Sequence, residues 1–370
     1  MLKRLAAFVG IFCALVSVVA AADTPSVALL VLNKGDTSLV IVDPQTLAVV
    51  GRVFAGQDPH EVIASADGRT AFVSNYGGFG AGFHTLSVID LVAQKPMPVV
   101  DLGALRSPHG LAIADGKIYF TAEGSKVIGR YDPAAGKIDW VLGLGQDRTH
   151  MIVVSKDGKK IFTSNVNSNT ISILEPGTGN DRGPFGPNGP PPGFGGPGAK
   201  DGPPGGGPPD GGPPGGWLGR GPNDWTETFV KVGNGPEGFD VSPDGRELWA
   251  ANSHDGTVSV IDIEKKSVAA TLNVPTRMAN RLKFTPDGKQ VFISDLGGDG
   301  VVVLDAATRK EIKRISLNGG SAGILMQPDG ARVYVASGNG VSVIDLKTLA
   351  VAGRVETGRN PDGLGWAVRK

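Results

Sequence analysis

The chain is nearly without cysteine. Of its 370 residues only Cys13 is one, and it lies in an apolar stretch near the N-terminus. Without it, disulfides, thiolate metal ligands, cysteine nucleophiles and a c-type haem attachment are all excluded. Charge of one sign is missing too. Thirty-six basic residues balance 36 acidic ones, so neither a nucleic-acid footprint nor a polybasic membrane patch is present. No N-x-[ST] acceptor for glycosylation occurs. Helical periodicity is almost absent, and beyond the first twenty or so residues no apolar run approaches the length of a membrane span. A chain this long buries a large core without staples.

The N-terminus has an export-signal layout. Lys3 and Arg4 precede "LAAFVGIFCALVSVV", and small residues follow at Ala20 to Ala22. A charged region, a short apolar region and a small-residue site predict a leader over residues 1–22, cleaved after Ala22. With neither a twin-arginine pair nor a cysteine at the cleavage point, a Sec-type, non-lipidated signal is expected. The remainder then carries a charge of about −2 and is expected in the periplasm or outside the cell.

What the chain has in abundance is repetition. "NGPEGFDVSPDGRELWAANSHDGTVSVID" (234–262) returns as "DPHEVIASADGRTAFVSNYGGFGAGFHTLSVID" (58–90), "SPHGLAIADGKIYFTAEGSKVIGRYD" (107–132) and "RTHMIVVSKDGKKIFTSNVNSNTISILE" (148–175). Two more copies occupy 278–305 and 321–345. Each copy holds four short runs of alternating polarity, A to D in chain order, which read as strands. An Asp-Gly pair sits between A and B six times: at Asp67, Asp115, Asp157, Asp244, Asp287 and Asp329. Gly accepts the positive φ of a tight hairpin and Asp tolerates it. The aspartates that close the C runs, such as Asp43, Asp90 and Asp262, are expected to cap the following turn. Four-stranded meanders at this period are propeller blades. A seventh copy is split: the N-terminal part supplies B, C and D from "ALLVLNKGDTSLVIVD", and "DGLGWAVRK" at the C-terminus supplies A. The prediction is an all-β, seven-bladed propeller over residues 23–370, with its ring closed by the C-terminal A strand pairing with the N-terminal strands.

The repeat resembles the YVTN-type β-propeller repeat. "FVSN" at 72–75, "FTSN" at 162–165 and "YVAS" at 334–337 stand where that family has YVTN. The resemblance covers the chain outside the leader and one insertion. It implies a propeller, in a family that includes surface proteins, binding proteins and lactonase-like or lyase-like relatives. At the level of fold the chain is also similar to lactonase-like and streptogramin-lyase-like propellers, whose sites lie in the central channel; "PHG" at Pro108 to Gly110 is a short match to such sites.

Residues 176–223 interrupt one blade between C and D with a Gly/Pro-rich stretch. Its composition buries too little to offset the entropy of ordering, so a disordered surface loop is expected. Phe185, Phe194 and Trp217 are its aromatic features.

Propeller geometry sorts the loops. D-to-A and B-to-C connections share one face, the top; A strands line the channel, so the start of A rings its mouth. That position reads His60, His109, His150, Glu237, Asn280, Ala322 and Asp362 around the ring. The other two histidines, His84 and His254, fall in B-to-C connections on the same face. Three adjacent histidines with carboxylates suit one divalent transition ion, Zn, Mn, Fe or Cu. The expected metal set is His60, His109 and His150, with Glu237 or Glu61 as further ligand or base. The competing reading is a polar funnel whose histidines bond water and backbone. Arg106, Arg148, Arg277, Arg281 and Arg359 gather in or beside the D-to-A connections and suit a carboxylate or phosphate. Asn75, Tyr76, Glu123, Asn165, Asn252 and Asp295, at the top ends of B strands, are candidates for further contacts.

Two functions follow. The first is an exported, monomeric binding protein that presents this funnel to a small molecule, metal or protein partner through His60, His109, His150, Glu237, Asn280, Arg281, Asp362, Arg106 and Arg148. The alternative is a metal-assisted enzyme of lactonase or lyase type, with His109, His150 and Glu237 as catalytic candidates.

Overall fold

A computed structural model describes residues 23–77, 82–177 and 225–370. The expected leader and nearly all of the Gly/Pro-rich insertion lie outside the described residues. Seven four-stranded antiparallel sheets form the molecule. The A strands are Pro59–Ala64, Pro108–Ala114, Thr149–Val154, Pro236–Val241, Ala279–Phe284, Ser321–Met326 and Pro361–Val368, and they define blades 1 to 7. The seventh blade combines its A strand with Val27–Asn33, Ser38–Val42 and Val49–Phe54 from the other end of the chain. Val27 pairs with Val368 and Leu30 with Gly365, so the ring closes as its split repeat predicts. The insertion leaves blade 3 after strand Thr170–Pro176, and the blade resumes with Trp225–Lys231. Among the described residues no helix is long and apolar enough to cross a membrane.

The core is a set of layers between blades. One cluster joins Leu30, Leu32 and Ile41 of blade 7 to Val62, Val73 and Ile89 of blade 1. Another joins Leu29, Val31 and Val40 of blade 7 to Tyr334 and Val343 of blade 6. Successive side chains of one strand thus point to opposite neighbours, as the two-residue period of a strand requires. This modifies the reading of alternating polarity. The B strand "VALLVLN" is buried at every position after the first, because both of its faces meet a neighbouring blade and continuous apolar runs result. Only the outermost strands are largely exposed, as in Lys95–Asp101.

The lower hairpins refine the expectation about Asp-Gly. The glycine does take positive φ, 68° at Gly68 and 73° at Gly245. The aspartate adopts a left-handed conformation only at Asp115, φ 50°, where the loop is two residues long. In the longer turns it acts through its carboxylate: Asp67 Oδ1 accepts from Ser65 Oγ at 2.6 Å and from the Arg69 N–H at 3.1 Å. The aspartates that end the C strands cap the next turn, Asp90 accepting from the N–H groups of Val92 and Ala93 at 2.9 Å each.

Candidate functional site

One irregularity, present in all seven A strands, builds the channel mouth. Pairing between A and B slips between the first and fourth A residues, for example between Pro59 and Val62, Pro108 and Leu111, and Ala279 and Leu282. The same slip occurs in the split blade. Such a bulge re-aims side chains and removes two residues from the ladder. The released pairs are His60-Glu61, His109-Gly110, His150-Met151, Glu237-Gly238, Asn280-Arg281, Ala322-Gly323 and Asp362-Gly363. Glycine is needed where neighbouring backbones approach: a Cβ on Gly110 would lie 2.6 Å from the His150 carbonyl oxygen, and one on Gly238 would lie 2.5 Å from the Asn280 oxygen.

A hydroxyl on the B strand satisfies the backbone that the bulge leaves open. Ser74 Oγ accepts from the Glu61 N–H and donates to the His109 carbonyl of the next blade at 2.7 Å. Thr121 joins Gly110 to His150 in the same way, and Ser164 joins Met151 to Glu237. The Ser of "FVSN" and "FTSN" is therefore an inter-blade latch. The following Asn is also structural. Asn75 donates to the Ala55 carbonyl and accepts from Ser87, while Asn165 and Asn252 bond hydroxyls of their own C strands. The amide nitrogens of these three asparagines are bonded within the fold, away from the channel contacts that their position suggested, although Asn252 Oδ1 has no partner among the described residues. Asp295 likewise caps the N–H groups of Arg277 and Met278.

The mouth holds two charged groups of residues joined at His109. In the first, His150 lies between two carboxylates, with Nδ1 2.5 Å from Glu123 Oε1 and Nε2 2.6 Å from Glu237 Oε2. Arg148 reaches Glu237 at 3.1 Å, and the Tyr76 hydroxyl donates to Glu123 at 2.6 Å. In the second, His60 Nε2 faces Asp58 Oδ1 at 3.0 Å, and Lys34 Nζ bonds Asp362 Oδ2 at 3.1 Å. Arg281, 5% exposed, pairs with Glu61 and approaches Asp362 at 3.9 Å. Glu61 belongs to blade 1 and Arg281 to blade 5, so this pair crosses the channel.

His109 is 2% exposed. Its Nε2 is 3.0 Å from His60 Nδ1, and its ring packs against His150 with centroids 3.8 Å apart and planes tilted by 36°. Its Nδ1 is buried with no hydrogen-bond partner among the described residues. Burial, reinforced by the charges of His150, Arg281 and Lys34, pushes His109 well below the usual imidazole range. His150 goes the other way. Burial opposes its charge, but Glu237 and Glu123 prevail and raise it to about 9. Burial also opposes the charge on Glu237, yet His150, Arg148 and Arg281 hold it far below the ordinary carboxylate range. Two stacked imidazoles thus carry opposite protonation states at neutral pH.

Of the residues singled out in the sequence, His60, His109, His150, Glu237, Arg281, Asp362 and Arg148 come together here. Asn280 is half-buried and touches Arg281 through its side-chain oxygen at 3.3 Å. Arg106 stands exposed outside the cluster, as do Arg277 and Arg359, the last paired with Asp36. His84 bonds Asp101 at 2.8 Å, and His254 is exposed in its loop. Both lie at the top face but outside the mouth. Arg148 and Arg281 are engaged by carboxylates of the protein itself. Sequence reasoning missed Lys34 and Asp58. Neither occupies the repeated position, although Asp58 directly precedes "PH". Among the described residues, the group that could hold a metal ion is His109, Glu123 and His150, whose ligand atoms lie within 4.8 Å of one another. It shares two residues with the three-histidine set and takes Glu123 in place of His60.

Residues 222–325, from the last strand of blade 3 into blade 6, match the model of the cytochrome D1 heme domain. The antigen Lp49 of Leptospira interrogans is 27% identical over 94 residues, 25% of this chain and 21% of the antigen, so the alignment spans about a fifth of that protein. A structure of a functionally unknown Desulfotomaculum acetoxidans protein superimposes with a TM-score of 0.68 at 12% identity, covering 93% of this chain and 99% of the other. Hydrazine synthase of Kuenenia stuttgartiensis gives 0.60 at 20% identity, over 82% and 88%. Dihydro-heme d1 dehydrogenase NirN in complex with DHE gives 0.58 at 16%, over 89% and 63%. At these identities the structural likeness is one of fold.

Proposed function

We propose that the chain is an exported binding propeller whose channel mouth takes one divalent transition-metal ion between His109, Glu123 and His150. The carrying observation is the His109 Nδ1 atom, buried and unpartnered among the described residues inside a network in which its neighbours are bonded. A buried polar atom is costly to leave without a partner, whether it donates or accepts. Two imidazoles and a carboxylate suit Zn, Mn, Fe or Cu over Mg or Ca. His150 would offer Nδ1, the nitrogen on the Glu123 side, in exchange for the proton now held there. Glu237 at Nε2 would fix the ring as an outer carboxylate partner. A bound ion would supply Lewis acidity at the mouth. A haem, suggested by the D1 domain match and by the likeness to NirN in complex with DHE, does not fit these residues. An axial imidazole needs a free face and a slot for the macrocycle. Here His109 is packed against His150 and meets His60 at its Nε2 edge, with ring centroids 3.8 and 4.7 Å away and none of the three more than 8% exposed. The matched stretch contains one histidine, His254, exposed in a loop.

The test is elemental analysis of the protein as isolated and after incubation with Zn, Mn, Fe and Cu followed by desalting, with His109→Ala alongside. A near-stoichiometric ion lost in the variant is expected; no retained ion in the wild type refutes the proposal. A second reading, lactone hydrolysis or elimination at the same mouth, is favoured by the stacked pair of one neutral and one charged histidine, an arrangement suited to acid-base work. Turnover of lactone or lyase substrates lost in both His109→Ala and His150→Ala would support it.

A further inference from the structure

We infer that Lys34, Asp58 and His60 form a relay that holds the single proton of His109 on Nε2, so that Nδ1 is the atom offered to an ion and His60 is a positioning residue rather than a ligand. The inference rests on the metal-binding reading for its consequence, but not for its geometry.

The protons are assigned by groups that have only one hydrogen-bonding role. An ammonium can only donate and a carboxylate can only accept. Lys34 Nζ lies 3.4 Å from His60 Nδ1, so that nitrogen presents a lone pair. Asp58 Oδ1 lies 3.0 Å from His60 Nε2, so that nitrogen carries the hydrogen. Asp362 also faces His60 Nδ1, at 3.7 Å, but the Lys34 ammonium occupies its Oδ2 at 3.1 Å. The next link follows. His109 Nε2 is 3.0 Å from His60 Nδ1, closer than the Lys34 ammonium at 3.4 Å, and is assigned as the main donor to that lone pair. A neutral imidazole has one proton, so with Nε2 protonated Nδ1 is bare. Both nitrogens of His60 are used in the relay, which leaves it none to give to an ion. Outer partners of this kind fix tautomer and ring orientation in metal sites, and their loss typically costs roughly 10- to 100-fold in affinity.

The experiment uses the full chain labelled with 15N and freed of metal. Long-range 1H–15N correlations of the imidazoles report which nitrogen carries the proton, whether or not any ion binds. Zinc affinity is measured in parallel by competition with a chromophoric chelator, for wild type, His60→Gln, His60→Leu and His109→Ala. The expected wild-type spectrum shows His60 and His109 both protonated at Nε2. Gln keeps an oxygen that accepts from His109, so His60→Gln should retain that tautomer and bind zinc within about threefold of wild type. Leu removes the acceptor, so His60→Leu should show mixed His109 tautomers and bind zinc roughly 10- to 100-fold more weakly. Protonation of His109 at Nδ1 in the wild type overturns the relay, even if zinc binds. Loss of zinc from His60→Gln as complete as from His109→Ala also overturns it and makes His60 a ligand. The stated tautomers in a wild-type protein that takes up no zinc would leave the relay standing and remove the metal reading instead.

Discussion

At the lower end of blade 4, the Asp244 carboxylate accepts from Ser242 Oγ at 2.6 Å and from the Arg246 N–H at 3.1 Å, all within one hairpin. At the upper end of blade 5, Arg281 reaches Glu61, 220 residues away in a blade that is not its neighbour. The lower turns repeat one self-contained device in several copies; the mouth is a single network that exists only once the ring is closed. Four cationic groups, Lys34, Arg148, Arg281 and His150, face five carboxylates there, Asp58, Glu61, Glu123, Glu237 and Asp362. Breaking a lower turn should therefore cost little and stay local. Breaking the ring or the mouth should cost much and be felt across blades.

The largest effect is expected from opening the ring. Deleting Leu364 to Lys370 removes most of the strand that pairs with Val27–Asn33 and takes buried Leu364 and Ala367 from two inter-blade layers. The deletion should abolish the cooperative thermal transition of the whole protein, followed by circular dichroism. A truncated protein that melts cooperatively within a few degrees of wild type would show that closure is dispensable.

Within the closed ring, Arg281→Met should be the most damaging single substitution at the mouth. It leaves Glu61 and Asp362 without their cross-channel partner in a buried setting. Removing one member of a buried charge network typically costs about 3–5 kcal/mol, measurable by urea denaturation. The double variant Arg281→Met/Glu61→Leu should recover part of that loss, since it removes a stranded charge as well.

A graded test of the same network is pH. His150 is raised to about 9 by Glu237 and Glu123 against the effect of burial. Its stabilisation is then complete below its ordinary value of about 6.5 and is lost as pH rises through the folded value. In chelator-treated protein, unfolding free energy should fall by on the order of 3 kcal/mol between about pH 6.5 and 9. Glu237 has the opposite sign: its charge is held in the folded state, so its contribution is lost on acidification. His150→Gln should flatten the alkaline slope. An equally steep slope in that variant would place the titrating group elsewhere.

The same contrast explains what could be read in the sequence. Blade number, the split closure, the C-strand caps and the positive-φ glycines follow from short-range chemistry repeated at fixed offsets, and repetition makes such signals visible. The mouth positions were visible as well, because His60, His109, His150, Glu237 and Asp362 occupy one register of the repeat. Their partners were harder to see. Lys34 and Asp58 stand off that register, and their roles depend on which blades the ring brings together. The roles of the arginines were not legible either. Arg148 and Arg281 looked like anion-binding groups, and only the closed ring shows that Glu237 and Glu61 already hold them. The asparagines after "FVS" and "FTS" misled for a related reason. Their register places them at the top face, but their amides turn back into the blade to bond C-strand hydroxyls.

The smallest expected effect sets the scale for the others. Asp244→Ala removes two hydrogen bonds to Ser242 and Arg246, and Asp67→Ala removes the equivalent pair to Ser65 and Arg69. The groups released can reach solvent, so no buried polar atom is stranded. Each substitution should cost about 0.5–1.5 kcal/mol. The two turns belong to blades 4 and 1 and share no hydrogen-bond partner, so the double variant should lose the sum of the single losses within about 0.5 kcal/mol. Urea denaturation of the four proteins checks this. Additivity at the bottom of the ring, set against strong coupling between Arg281 and Glu61 at the top, would distinguish repeated local devices from one shared network. Coupling above about 1 kcal/mol between Asp244 and Asp67 would instead mean that strain travels around the ring between its lower turns, and the separation of the two ends would fail.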